Sequence, residues 1–474
     1  MIESILYLSP FGIMGGGVLL LLLCYLRESS TGVSFRLAKI FTVIGFGASV
    51  IFYNRSAFPE MMQANYFSLM FLVLMFAAMC ATLFLSRKWY SSMNISGSLF
   101  CCGLLLSGFA GLLLVMSENL GLTFCSIGGL LVANYLLFIH ADKKKEVYVS
   151  SRLYALSALT VWALMTGITV YLGSQNADLT YASLETYFEN NTESGMVFAV
   201  AAAIVLVFVF LLGLSPLHFW YTETTGQIVL PVFTYFTLVP VSVYWAAFIK
   251  LNIQVFAPVE PRMSIFCQGL ALLSLFAGAI GACSGKNIRK IFAYSSVYHQ
   301  GIIFLMLQRL SPDALNTAFV YLVVYLVAMY GVCACLFGLK NKGEYLFMLS
   351  DFEGASFKRP YISAALSIFL FSLIGFPPFL GFLGMFAVFS DLVLHNNFYQ
   401  LAALLTALVI LAYSYLQIVK TLYFENSNIA FDRADRGIYT AVLLTILLMI
   451  VLIVQPHFLM QDLEWILEGA LVWH

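Results

Sequence analysis

The sequence predicts an all-α polytopic membrane protein, on three observations. Hydrophobic residues make up 62% of the chain and charged residues only 10%. Mean hydropathy is +0.93, more apolar surface than a soluble core needs. Apolar runs of about 17–25 residues, the length that crosses a hydrocarbon layer of roughly 30 Å, recur from end to end.

Runs bounded by charge or turn residues give fourteen helices. Segment 11–27 closes at Arg27, 37–53 opens behind Arg36, and 66–86 stops at Arg87 and Lys88. Segments 96–116 and 119–139 flank Glu118, and 153–173 opens behind Arg152. Segment 196–214 follows an acidic stretch, 231–249 meets Lys250, and 263–283 starts behind Arg262. Lys290 and Arg309 bracket 291–308; Asp313 and Lys340 bracket 315–339. Segment 361–394 is too long for one straight span and holds Gly375, Pro377 and Pro378 at its centre, so it is predicted to be a broken helix. Segments 399–419 and 437–455 complete the set. The chain then divides into three N-terminal spans (1–95), a first five-helix repeat (96–250), a second (263–422), and a C-terminal span with its tail (436–474).

Charge chooses between fourteen spans and fifteen. With fourteen and the N-terminus outside, the cytoplasmic loops hold 19 of the 23 basic residues, leaving only Arg55, Lys250, Arg262 and Arg309 outside. Counting the broken helix twice would move Lys420, Arg433 and Arg436 outside, against the bias of Lys and Arg toward the cytoplasmic side. Both termini are therefore expected outside the cytoplasm. A bacterial inner (plasma) membrane is the expected location, with an organellar energy-transducing membrane as the alternative.

Other features exclude function classes. Formal net charge is zero, which offers no basic surface for nucleic acid. The first apolar run lacks a basic n-region and a small-residue cleavage site, so it is expected to be a retained span. All nine cysteines fall within spans and none forms a C-x-x-C pair, so they are expected to pack as small apolar residues, with no metal site. No nucleotide-binding loop and no long soluble domain is present. The largest outside loop, 174–195, is acidic and is expected to be solvated.

Two interruptions organise the interior. The seventh span ends in FLLGLSPLHFW, with Gly213 and Pro216 three apart; the twelfth holds FSLIGFPPFLGF, with Gly375 and Pro378 three apart. Proline removes an intrahelical hydrogen bond and frees carbonyls at membrane depth, which is tolerated only where protein or water satisfies them. Paired Gly/Pro-interrupted helices five spans apart point to inverted repeats around a translocation-type site. Pro240, in the middle of the eighth span, is expected to be a third break.

Three blocks resemble a known family: SPLHFWYTETTGQIVLPVFTYFTLVP (215–240), GKNIRKIFAYSSVYHQGIIFL (285–305) and FEGASFKRPYISAALSIFLFSLIGFPPFLGFLG (352–384). They are similar to the P-F-H-x-W, A-Y-S-S-x-x-H and G-x-P-P-x-x-G-F motifs of the antiporter-like membrane subunits of respiratory complex I and of Mrp-type cation/proton antiporters. Length, span count and the G-x-P-P-x-x-G-F form resemble most the N-type subunits of NADH:quinone oxidoreductase. The resemblance implies proton translocation coupled to electron transfer. It also implies other membrane subunits and the lipid bilayer as partners. No cofactor is expected on this chain: NADH, FMN, iron–sulfur clusters and quinone are expected on partner subunits, and the resemblance implies a non-redox subunit without a catalytic site of its own.

Carried over residue by residue, the resemblance shows losses. The family's fifth-span glutamate falls at Gly128, its seventh-span lysine at Leu211, its eighth-span lysine at Val241 after Pro240, and its twelfth-span lysine at Met385. Surviving polar candidates are Arg152, His218, Glu223, Arg289, Lys290 and His299. Proton transfer across hydrocarbon needs groups that bind and release protons, and buried Lys and Glu suit that task. Two readings stand: a proton-translocating subunit using the surviving residues, or a pump-silent scaffold that retains the fold. The losses favour the second, and an Mrp-type antiporter subunit is a third alternative. The expectation is an axis without a buried Lys–Glu pair, and apolar side faces where Gly108, Gly111 and Gly128 admit neighbouring helices.

Overall fold

The computed structural model describes residues 8–27, 30–51, 58, 60–140, 145–425 and 430–457. Among these it contains α1 (Ser9–Leu26), α2 (Thr31–Ile51), α3 (Tyr66–Ser92), α4 (Ser98–Met116), α5 (Leu120–His140), α6 (Lys145–Ser174), α7 (Tyr181–Asn190), α8 (Gly195–Leu211), α9 (Phe219–Thr225) and α10 (Leu230–Gln254). There follow α11 (Glu260–Cys283), α12 (Ile288–Met306), α13 (Pro312–Gly338), α14 (Ala355–Lys358), α15 (Pro360–Ile374), α16 (Leu380–Leu394), α17 (Phe398–Phe424) and α18 (Arg436–Val454). One small hairpin pairs β1 (Lys340–Asn341) with β2 (Glu344–Tyr345). Each predicted segment coincides with a helix, and 361–394 with the pair α15 and α16. Among the described residues, eleven helices are long and apolar enough to cross a membrane; α8, α15 and α16 are shorter apolar helices. The chain is a multi-pass membrane protein.

Two compact units are present. Of the described residues, the first comprises those between 8 and 212 and 238–266, the second those between 213 and 237 and between 267 and 457. In the first unit, Gly108 and Gly111 do not face outward as expected. A Cβ at Gly108 would lie 2.5 Å from Met14 and 2.7 Å from Met79, and one at Gly111 would lie 2.6 Å from Met75. These glycines let α4 pack inside its own unit. A pattern of small residues marks close approach without saying which neighbour approaches.

The same unit carries a short backbone ladder between helix ends. Gln63 and Glu118 donate to the carbonyls of Met116 and Met61, Leu120 donates to Leu179, and Tyr181 to Glu118, at 2.8–3.0 Å. Asn119 caps the start of α5, its side chain accepting from the Gly121 N–H at 2.8 Å. The 174–195 segment is more than a solvated loop: α7 lies within it and buries Tyr181, Leu184 and Phe188. Thr180 accepts from the Ser183 N–H to start that helix.

The second unit repeats this device. Ile288 donates to Phe347 and Leu349 to Lys286, each at 2.8 Å. Asn287 caps α12 by accepting from the Arg289 N–H at 3.0 Å. Two of the three expected helix breaks lie in this unit. Gly213 and Gly375 adopt φ of +65° and +82°, the left-handed region that favours glycine, and reverse the chain just before the prolines. Pro240 does not break its helix: α10 runs through it from Leu230 to Gln254. A lone proline deletes one N–H and strains the preceding turn. A break at Gly213 or Gly375 adds a residue free to turn left-handed, and no glycine precedes Pro240 within α10. All nine cysteines are free.

Candidate functional site

In the second unit, α12 carries the candidates in order. Lys290 stands in its first turn and His299 nine residues on, about 14 Å along the axis at 1.5 Å per residue. His299 is 1% exposed. Its Nδ1 lies 2.8 Å from the Tyr321 hydroxyl and its Nε2 3.1 Å from the Tyr415 hydroxyl. A neutral imidazole donates from one nitrogen and accepts at the other, so both of its positions are used. The Tyr415 hydroxyl also meets Ser295, and Tyr325 donates to Ser296 Oγ at 2.9 Å. The result is a buried network of hydroxyls around one imidazole, with no carboxylate, lysine or arginine among the described residues bonded to it.

Lys290 and Glu223 are brought together, Nζ to Oε1 at 2.5 Å, with both side chains about one-third or more exposed. Arg289 is occupied otherwise: it donates to the Ile228 carbonyl and lies 4.7 Å above the Phe347 ring. His218 precedes α9 and is buried, its ring 4.2 Å from Phe219 and 6.0 Å from Tyr294. Its Nδ1 has no hydrogen-bond partner among the described residues, so it stands outside the His299 network. Arg152 lies exposed on α6 in the first unit.

The four positions aligned with family ionisable residues are apolar in structure as in sequence. Leu211, Val241 and Met385 are buried. Gly128 is half-buried and faces Trp162, whose indole nitrogen would lie 2.7 Å from an added Cβ. A larger residue there would displace the indole.

A largely buried Lys–Glu pair lies elsewhere in the first unit, at the helix ends and not at the four aligned positions. Lys250 is 4% and Glu118 11% exposed, and Nζ lies 2.6 Å from Oε1. The ammonium also donates to the Ser117 carbonyl at 2.8 Å. Beside it, Ser117, Thr123 and Tyr181 join hydroxyls. Burial pushes the Tyr181 hydroxyl above the usual phenol range, so it stays a neutral donor. This pair ties the last turns of α10 to the middle of the ladder. Sequence reasoning ended the eighth span at 249 and left Lys250 in solvent. The available signal was that Lys250 breaks the positive-inside pattern.

Arg309 and Asp391 were missed likewise. Arg309 donates to the Asp391 carboxylate, and His395 Nδ1 lies 2.8 Å from the Asp391 carbonyl oxygen. Among the described residues, Lys250 and Asp391 are the only Lys, Arg, Asp or Glu side chains that are buried. Of the four basic residues expected outside, three are ion-paired: Lys250 with Glu118, Arg262 with Glu193, and Arg309 with Asp391. The fourth, Arg55, lies outside the described residues, as do the expected inside lysines Lys143 and Lys144.

Interrupted apolar helices, capped ladders and a buried polar network define a multi-pass helical membrane protein with broken helices. The profile of the transmembrane family described as NADH:quinone oxidoreductase/Mrp antiporter matches residues 117–411, well over half of the chain, and the chain belongs to that family. It is 27% identical over 341 residues to the NADH-quinone oxidoreductase subunit N of Parvibaculum lavamentivorans, covering 70% of this chain and 69% of that one. To the subunit N of Beijerinckia indica it is 25% identical over 463 residues, covering 94% of each. Its fold is shared with a chain of respiratory complex I from Thermus thermophilus (TM-score 0.79, 20% identity, 96% of this chain and 98% of that one). A chain of the Mrp complex from Dietzia sp. gives a TM-score of 0.84 at 15% identity, covering 99% and 97%.

Proposed function

We propose that this chain is a membrane-arm subunit of a complex I-type NADH:quinone oxidoreductase that keeps the antiporter-like fold but moves no protons of its own. Relatives bearing the subunit N name along most of the chain support the assembly. The observation that carries the silent reading is the combination of buried Leu211, Val241 and Met385 with a His299 already bonded at both nitrogens. Without a charged neighbour to set proton affinity, the hydroxyl network orders the interior of the unit and does not drive transfer. NADH, flavin, iron–sulfur clusters and quinone belong to partner subunits in this reading.

The same reading assigns fourteen spans, both termini outside, and two inverted five-helix repeats. The matching ladders capped by Asn119 and Asn287 support the repeat, since five crossings separate them and an odd number reverses the starting side. Cysteine labelling that puts Lys88 and Lys286 on opposite sides would overturn that topology.

The test of silence is stoichiometric. His218→Ala and His299→Ala are expected to leave the ratio of protons pumped per electron pair unchanged in assembled complex, with assembly reduced at most. A lower ratio with assembly and electron transfer intact overturns it, because a purely structural group has no route to stoichiometry.

A further inference from the structure

Three cations gather in the first unit with no anion to meet them. Arg36 and Lys39 stand three residues apart on one face of α2, and Arg87 stands three residues after Phe84 on α3. The Thr31 hydroxyl donates to the Ile95 carbonyl at 3.3 Å, which sets the start of α2 beside the exit of α3. There the Lys39 ammonium lies 5.4 Å from the centroid of the Phe84 ring, and Arg87 is near enough to repel it. Arg36 and Arg87 are exposed and Lys39 is half-buried. Among the described residues none of the three has a carboxylate partner, whereas Lys250, Lys290, Arg262, Arg309 and Lys420 each meet one.

A lysine that only anchors a helix at the interface swings its ammonium toward water. Lys39 does not: its ammonium sits over a ring one helical turn deeper than Arg87. Like charges three residues apart on a helix, or facing across two helices, repel and cost stability unless a counter-charge joins them. Away from the cations the same two helices turn apolar. Ile40 and Val43 on α2 and Val73 and Ala77 on α3 are exposed. Val73, Ala77, Phe84 and Arg87 share one helical stripe, apolar for about 16 Å and cationic at one end.

We propose that this groove between α2 and α3 binds an anionic phospholipid, its phosphate held by Arg36, Lys39 and Arg87 and its acyl chains laid along the apolar stripe. A phosphate diester offers acceptor oxygens to guanidinium and ammonium groups together. Basic pockets between membrane helices suit such headgroups. A free phosphate would use the cations and leave the stripe bare, whereas a phospholipid carries both parts in the order in which the groove presents them. The site draws on neither the His299 network nor a partner subunit, so it stands or falls apart from the pump-silent reading.

The test is native mass spectrometry of the full chain, delipidated in detergent and titrated with phosphatidylglycerol. One phosphatidylglycerol is expected to bind more tightly than phosphatidylcholine, and the combined change Arg36→Gln, Lys39→Gln and Arg87→Gln to weaken it about tenfold or more. Lys286→Gln with Lys342→Gln and Lys358→Gln removes the same charge from exposed positions of the second unit and should leave that binding unchanged. Phosphatidylglycerol bearing a diazirine in its acyl chain should label α2 and α3 near Val43 and Val73. Equal weakening in both triple variants, labelling confined to other helices, or glycerol phosphate binding as tightly as the lipid would each overturn the site. In native membranes, benzoylphenylalanine at Ile40 that joined another protein and no lipid would overturn it too. Should the triple variant fail to fold, Lys39→Met alone is expected to weaken binding several-fold and Lys39→Arg to retain it; unchanged binding in Lys39→Met rejects the site.

Discussion

Replacing Lys250 by Met removes one partner of the buried pair while nearly conserving side-chain length. Glu118 is then left largely buried and uncompensated, and the Ser117 carbonyl loses its donor. Breaking a buried ion pair in this way costs about 3–5 kcal/mol. Glu118 keeps 11% of its surface in contact with solvent, so water offsets part of this and the lower end applies. A loss of about 3 kcal/mol, at about 1.4 kcal/mol per tenfold, is roughly a hundredfold in a local opening equilibrium. The amides that report it are those of Leu120 and Tyr181, which bond across the ladder on either side of Glu118. Hydrogen exchange by mass spectrometry on the assembled complex is expected to show them exchanging about a hundredfold faster. The Ile288 and Leu349 amides of the second ladder should be unchanged. Unaltered exchange at Leu120 and Tyr181 would refute the argument that the pair holds the ladder, and equal acceleration in both ladders would show general unfolding instead.

Further outcomes follow from geometry. Gly375→Ala and Gly343→Ala place a side chain at the same φ of +82°, but only at Gly375 would the Cβ meet Met385, at 2.9 Å; nothing lies near Gly343. Left-handed strain of about 1–2 kcal/mol is expected for both, with a larger fall in melting temperature for Gly375→Ala. Gly381→Ala would put a Cβ 1.5 Å from the Ser372 carbonyl oxygen, so loss of the assembled subunit is expected on native gels. Arg262→Ala breaks a pair whose side chains are 50% and 92% exposed, and thermal stability should shift by less than about 1 kcal/mol.

The helices were legible because apolar runs and flanking charges are one-dimensional signals. Both true breaks were legible for the same reason, a glycine three residues before a proline. Pro240 misled because it shares the proline without the glycine. Lys250 and Glu118 could not be paired from sequence: more than a hundred residues separate them, and nothing local says that α10 continues past 249 and carries its lysine into the interior. Gly108 and Gly111 failed similarly, since their smallness was plain but the methionines that fill the space come from α1 and α3. The His299 network was half visible: the histidine stood out within its span, whereas Tyr321 and Tyr415 were two tyrosines among 26.

The pairing of Lys250 with Glu118 and of Arg309 with Asp391 has an electrical consequence. An energised membrane does work of about 2.3 kcal/mol on each elementary charge carried through 100 mV. A solitary ammonium near the end of α10 would sit partly inside that field and be pulled along it, so the fold would strain as the voltage rose. Two opposite charges a few ångströms apart experience opposing forces that nearly cancel, leaving a small dipole torque. Neutralised in pairs, the buried charges give the voltage almost no lever on the helices that bear them.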